Sequence, residues 1–193
     1  MKNHLSTGQE LDGAFALNKT IDVVLNDITK LKLDAIVNAA NETLMGGGGV
    51  DGKIHAAAGP RLRAECRALG GCKTGQAKIT NGYNLPSKYI IHTVGPVYGE
   101  DPEKISKSQL SSCYKNSLDL ARKHNLHTIA FPSISTGIYG YPRHKAVEIA
   151  WETVTKWLFN NRDYNIKVIF CCYDNETFSL YNKKLQSIMD IAI

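Results

Sequence analysis

A chain of 193 residues, 43% hydrophobic and 21% charged with net charge +5, is the size of one domain and can bury about 70% of its unfolded surface without a metal or disulfide staple. Five cysteines, with Cys171 and Cys172 adjacent in an apolar run, argue against a disulfide framework and for reduced thiols in the cytoplasm, or the nucleus in a eukaryote. The N-terminus lacks an apolar signal core and no window approaches the ~18 apolar residues of a membrane span, so the chain reads as soluble with no membrane partner.

Residues 1–19 show weak helical spacing through Leu11, Phe15 and Leu17 and read as a leader packed on the edge of a single domain spanning 20–193. Residues 20–25 alternate polar and apolar before a continuous apolar run, which predicts a first strand. A second strand is expected over 35–39. The pattern over 50–58 can be helical, and Gly59-Pro60 restarts a helix that passes Leu62, Cys66 and Leu69 before the stop at Gly70-Gly71.

Two short extended pieces follow at 76–80 and 89–94, the first suited to an edge or a hairpin arm, with a turn at Asn84-Leu85-Pro86 between them. A polar link over 99–107 leads to a helix whose Leu110, Cys113, Tyr114, Ser117, Leu118 and Ala121 recur at three- and four-residue spacing. Residues 128–132 form an apolar strand. A long helix after Pro142 presents Ala146, Ile149, Ala150, Val154, Trp157 and Leu158, a last strand lies at 166–173, and a final helix runs over 176–189. Helices alternating with near-continuous apolar strands indicate an α/β domain whose mostly parallel sheet is covered on both faces.

Ligands of such sheets sit at the carboxyl ends of the strands, where both glycine-containing loops fall. In the first, Gly46, Gly47, Gly48 and Gly49 leave backbone N–H groups open to an anion, and the helix start at Val50 adds its dipole. The second runs Ser133-Ile134-Ser135-Thr136-Gly137-Ile138-Tyr139-Gly140 and supplies hydroxyls and amides before another helix start. Two such ends facing one ligand suggest a diphosphate. Seven basic residues stand against one acid, Glu65, between Lys53 and Lys88, as expected of an electropositive mouth or of a solvated helix face. Nucleic acid ranks below a small phosphorylated ligand, because aromatics do not interleave with these charges.

The run Gly47-Gly48-Gly49-Val50-Asp51-Gly52 fits G-x-G-x-x-G, the fingerprint of a dinucleotide oxidoreductase, but no Asp or Glu occurs between Glu65 and Glu100 to hold the ribose. No Gly-Lys-Ser or Gly-Lys-Thr closes either loop, and neither G-x-S-x-G nor H-E-x-x-H appears. Asp51 and His55, four apart, share one helix face. Asp51 can position or deprotonate a water, bind ribose hydroxyls, or simply favour the helix dipole; His55 can join it or pack as a structural histidine. Asn41 suits a sugar hydroxyl or a turn. Asp27 suits an exocyclic amine or a turn, Tyr139 a sugar or a loop cover, and Tyr173 a base or the core. Cys66 and Cys72 have no paired Cys or His at ligand spacing, so no metal and no cofactor is expected.

These residues carry a resemblance to the macrodomain family, and within it to the MacroD-type ADP-ribosyl hydrolases. It covers almost everything from Ile21 to about Tyr173. The motifs are Asn26-Asp27-Ile28-Thr29, Ala35-Ile36-Val37-Asn38-Ala39-Ala40-Asn41, Gly46-Gly47-Gly48-Gly49-Val50-Asp51-Gly52-x-Ile54-His55, Gly71-Cys72-x-Thr74-Gly75, Tyr89-Ile90-Ile91-His92-Thr93-Val94-Gly95-Pro96 and Ser133-Ile134-Ser135-Thr136-Gly137. The resemblance implies a three-layer α/β/α domain with a mostly parallel, mixed central sheet that binds ADP-ribose. By the same resemblance, Asp27 takes the adenine amine with the Ile28 amide beside it. Gly47, Gly48, Gly49 and Val50, with Ser135, Thr136, Gly137, Ile138 and Tyr139, hold the diphosphate. Asn41 holds the distal ribose, Asp51 is the catalytic carboxylate, and His55 follows one turn on. The implied activity is hydrolysis of the ester linking ADP-ribose to Asp and Glu of modified proteins, together with deacetylation of O-acetyl-ADP-ribose. A monomer is expected, and a reader that binds ADP-ribose without turnover is the alternative. Relatives usually have glycine where Asn26 stands, and asparagine tolerates the positive φ that a glycine suggests.

Overall fold

The computed structural model describes residues 20–191, so the leader expected over 1–19 lies outside the described residues. In chain order the elements are β1 (Ile21–Leu25), a 3-10 turn (Ile28–Lys30), β2 (Ala35–Ala40), α1 (Gly49–Ala58), α2 (Pro60–Ala68), β3 (Ala77–Asn81), β4 (Tyr89–Val94), α3 (Glu103–Lys123), β5 (Thr128–Phe131), α4 (Arg143–Asn160), β6 (Lys167–Cys172) and α5 (Asn175–Ile191). The strands form one sheet in the order β1-β6-β5-β2-β4-β3. Every pairing is parallel except β3 with β4, so the piece expected as an edge or hairpin arm is an antiparallel edge.

Alternation along each strand sorts the side chains into two layers. On one face Ile36, Ala40, Ile90, Val94, Ala130, Ile169 and Cys171 pack with Ile54 and Ala58 of α1 and Leu62 and Cys66 of α2. On the other, Val37, Ile91, Ile129, Phe131, Val168 and Phe170 pack with α3, α4 and α5 through Leu110, Tyr114, Ala150, Val154 and Tyr181. This is the three-layer α/β/α arrangement. α3 begins at Glu103, inside the stretch that the sequence suggests is a polar link, because its first turn is solvated: Glu103, Lys104, Ile105 and Lys107 are exposed, and among these residues only Ser106 is buried.

The parallel strands β1, β6, β5 and β2 all end at one edge of the sheet. Residues after β1 and β6 therefore stand at one end of that edge and residues after β2 at the other. No helix among the described residues is long and apolar enough to cross a membrane.

Candidate functional site

That edge opens into a cleft of about 510 Å³, within the roughly 300–1,000 Å³ usual for small-ligand sites. Asp27, Ile28, Asn41, Gly47, Gly48, Gly49, Val50, Asp51, Ser135, Thr136, Gly137, Ile138, Tyr139 and Tyr173 all line it, joined by Lys53, the first of the basic stretch after the glycine loop, and by Arg143, which no sequence motif singles out. His55 is not among the lining residues. It lies one turn behind Asp51, with Nε2 at 3.5 Å from Asp51 Oδ1.

The first loop delivers α1 with its start uncapped by any side chain, so the amides of the first turn are available to an anion. Gly52 must be glycine, since a Cβ there would stand 2.5 Å from the Gly47 carbonyl oxygen. The second loop holds Ser135 at φ 65°, a left-handed conformation that costs a non-glycine residue about 1 kcal/mol or more. Its hydroxyl is buried with no hydrogen-bond partner among the described residues. Strain and an orphaned polar group in one residue fit a loop built for a ligand. The two loops meet over the cleft: Ile138, 83% exposed, brings its Cδ1 to 3.0 Å from where a Gly48 Cβ would be. α4 likewise begins without a side-chain cap, and its first residue, Arg143, pairs with Glu176 at 3.3 Å and Asp174 at 3.8 Å.

Asp51 is 4% exposed. Burial lifts its carboxyl above the ordinary carboxylate range, opposed by the Asn38 hydrogen bond and by His55. Burial likewise holds the His55 imidazole below its ordinary value, against the pull of Asp51. Asn41 serves its own loop, donating from Nδ2 to the Gly46 carbonyl at 3.1 Å and accepting at Oδ1 from Thr43 N and Oγ1 at 3.2 and 2.6 Å. The turn role is thus real, and Asn41 lines the cleft as well. The point above Gly47 where a Cβ would sit lies 3.1 Å from Asp51 Oδ2 and 3.2 Å from Asn41 Nδ2. Glycine at 47 lets the loop pass close against both groups and leaves an acceptor and a donor near each other at the cleft wall, a pair that suits a water or a sugar hydroxyl.

At the β1/β6 end, Asp27 Oδ1 caps the 3-10 turn, accepting from Thr29 N at 2.9 Å and Thr29 Oγ1 at 2.7 Å. These bonds, foremost the hydroxyl, hold its carboxyl below the usual range, and they leave Oδ2 unused for an amine. Tyr173 is 75% exposed, which removes the core-packing reading, and Lys53 Nζ lies 3.8 Å from its ring centroid. Asn26 is not among the residues with positive φ, contrary to the glycine-like conformation its position suggests. Its Oδ1 instead accepts from Asp27 N at 2.7 Å, so the substitution stiffens the turn.

The spacing argument about cysteine misses a spatial grouping: ligand atoms of His55, Cys66 and His92 lie within 4.8 Å of one another. Two of the three are already committed. His92 Nε2 is 2.8 Å from Thr80 Oγ1, and burial pushes the Cys66 thiol up to about 11. Nothing in the group assigns it to a metal.

The sequence profile of the Macro domain family matches residues 37–150. The ADP-ribose glycohydrolase MACROD2 of Xenopus laevis is 53% identical over 177 residues, which is 92% of this chain and 42% of that protein. A macro domain-containing protein of Chlorobaculum tepidum is 56% identical over 87% of this chain and 96% of its own length. The chain thus spans about two fifths of the MACROD2 relatives it matches. Among solved structures, an Oceanobacillus iheyensis macrodomain variant with ADPR superposes with TM-score 0.83 at 42% identity over 88% of this chain and 94% of that one. The Trypanosoma brucei macrodomain in complex with ADP-ribose gives 0.81 at 43% identity over 86% and 69%. By profile, by sequence identity and by fold, this chain belongs to the macrodomain family.

Proposed function

We propose that this chain hydrolyses the ester joining ADP-ribose to Asp and Glu side chains of modified proteins, and by the same chemistry removes the acetyl group of O-acetyl-ADP-ribose. The observation that carries the reading is the proximity of Asp51 Oδ2 and Asn41 Nδ2 beside Gly47 at the cleft wall, next to a loop that presents uncapped helix amides. The names of the MACROD2 relatives support it. Adenine would lie between Asp27 and Tyr173, the diphosphate against Gly47 to Val50 and the second loop, and the distal ribose at Asn41.

Hydrolysis then needs one water beside Asp51. Asp51 takes a proton from it, the oxygen attacks the carbonyl carbon of the ester, the bond from that carbon to the ribose oxygen breaks to leave a free carboxylic acid, and the ribose oxygen takes the proton from Asp51. A carboxyl raised by burial is a stronger base when ionised, which suits this use. The five buried free thiols support our reading of a reducing compartment, the cytoplasm or, in a eukaryote, the nucleus, and we propose that the protein acts as a monomer.

Asp51→Ala should slow release of ADP-ribose from a glutamate-modified protein by at least about 10²-fold, with ADP-ribose binding by calorimetry retained. A wild type that binds ADP-ribose but releases none from ester-linked protein would be a reader instead. A wild type that turns over, with Asp51→Ala nearly as fast, would assign water activation to the substrate's own diphosphate.

A further inference from the structure

Behind Asp51, on the side away from the cleft, a file of polar groups crosses the apolar layer to the edge of the sheet. Asn38 on β2 and His92 on β4 are partners in register, and both are fully buried. Asn38 Nδ2 donates to Asp51 Oδ1 at 2.8 Å and stands 3.1 Å from His92 Nδ1. On the far side Thr80 of β3, also buried, brings Oγ1 to 2.8 Å from His92 Nε2. Neither His92 nor Thr80 lines the cleft, so neither meets the ligand. Their neighbours are Ile36, Ile90 and Cys66, a setting in which polar groups are costly unless fully paired.

The pairing is incomplete in one telling place. Asn38 Oδ1 is buried with no partner among the described residues, so the amide forgoes a hydrogen bond to keep both N–H groups on acceptors. Turned over, it would set its carbonyl against Asp51 Oδ1 and hold that carboxyl protonated. The preference therefore depends on an acceptor at His92 Nδ1. Burial keeps the imidazole neutral, with its pKa near 3; one ring nitrogen then accepts and the other donates, and Thr80 Oγ1 accepts the hydrogen bond from Nε2–H.

We propose that His92, in the tautomer protonated on Nε2 and fixed by Thr80, is a positioning residue that locks the Asn38 amide so that it holds Asp51 ionised and aimed at the water. The role given to Asp51 rests on the function proposed above, whereas the coupling of His92 to Asp51 rests on the geometry alone. The other groups facing Asp51 are His55 on its own helix, Cys66 on α2 and Tyr139 of the second loop, with Arg63 beyond His55. None of them contacts the Asn38 amide among the hydrogen bonds of the described residues.

The test titrates Asp51 directly through its side-chain carboxyl ¹³C shift and, separately, measures release of ADP-ribose from a glutamate-modified protein across pH. In His92→Leu the Asn38 amide is free to turn. Asp51 should then titrate at higher pH than in wild type, and the acid limb of kcat should move up with it. At neutral pH kcat should fall about 10-fold, while the Kd for ADP-ribose stays within about two-fold of wild type. His92→Asn restores an acceptor near the Nδ1 position and should recover part of both shifts. Thr80→Val frees the other tautomer and should move them the same way by less, so two variants remain informative should His92→Leu fail to fold. An Asp51 titration unmoved in the folded variants overturns the inference, as does an equal loss of kcat in His92→Leu and His92→Asn with no displacement of the acid limb. A wild type that releases no ADP-ribose defeats the proposed function, yet the Asp51 titration still decides whether His92 is coupled to it.

Discussion

Asp51 carries two demands that oppose each other. The proposed chemistry needs an ionised carboxylate facing water, and the fold encloses that carboxylate almost completely. Because folding raises its pKa, the folded protein binds this proton more tightly than the unfolded chain. Below the unfolded pKa both states are neutral here and nothing is lost; above the folded pKa the folded state bears a buried charge, and stability falls by about 1.4 kcal/mol for each unit of the shift. Asp51→Asn should therefore abolish turnover while raising Tm at pH 7, with the gain shrinking as the pH falls to about 3; thermal unfolding at the two pH values checks it. Asp51 and Asn41 were legible in the sequence because both stand next to the glycine run. Asn38 and His92 were not. His92 is a single polar residue inside the apolar strand 89–94, and only the β2–β4 register sets it against Asn38.

Elements, more than individual residues, fix the shape of the proposed diphosphate cradle. β4 ends at Val94, and Gly95 directly after it passes so close beneath the second loop that a Cβ there would fall 2.0 Å from Ser135 Oγ and 2.7 Å from Ile134 Cγ2. Gly95→Ala should push that loop out of place, weakening ADP-ribose binding by more than about 10-fold, since about 1.4 kcal/mol suffices for that. The circular dichroism spectrum should stay that of the wild type, with calorimetry reading the affinity. The strands were readable because buried parallel strands are continuous apolar runs. The start of α3 was not, since its first turn faces water and shows no apolar face to the reader of a sequence.

On the scale of the whole molecule, the sheet separates two apolar layers, and the polar file behind Asp51 belongs only to the thinner one under α1 and α2. Phe170, on the opposite face, stacks on Tyr181 with ring centroids 4.2 Å apart and lies near Trp151 at 5.9 Å. Phe170→Ala should cost about 3–5 kcal/mol of stability, read by urea unfolding, while ADP-ribose release per folded molecule stays close to wild type. The separation of layers followed from alternation along each strand; the strand order did not, because pairing partners distant in the chain leave no mark on local pattern. The outermost of these pairings joins β1 to β6, with Leu25 set against Cys172. Asp27 and Tyr173, the proposed walls for adenine, hang from those two strands, nearly 150 residues apart in the chain. A ribosome must finish the sixth strand before the first acquires its neighbour, so the proposed nucleotide recognition arises only once that strand has been made, and fragments ending before residue 172 should be blind to the nucleotide.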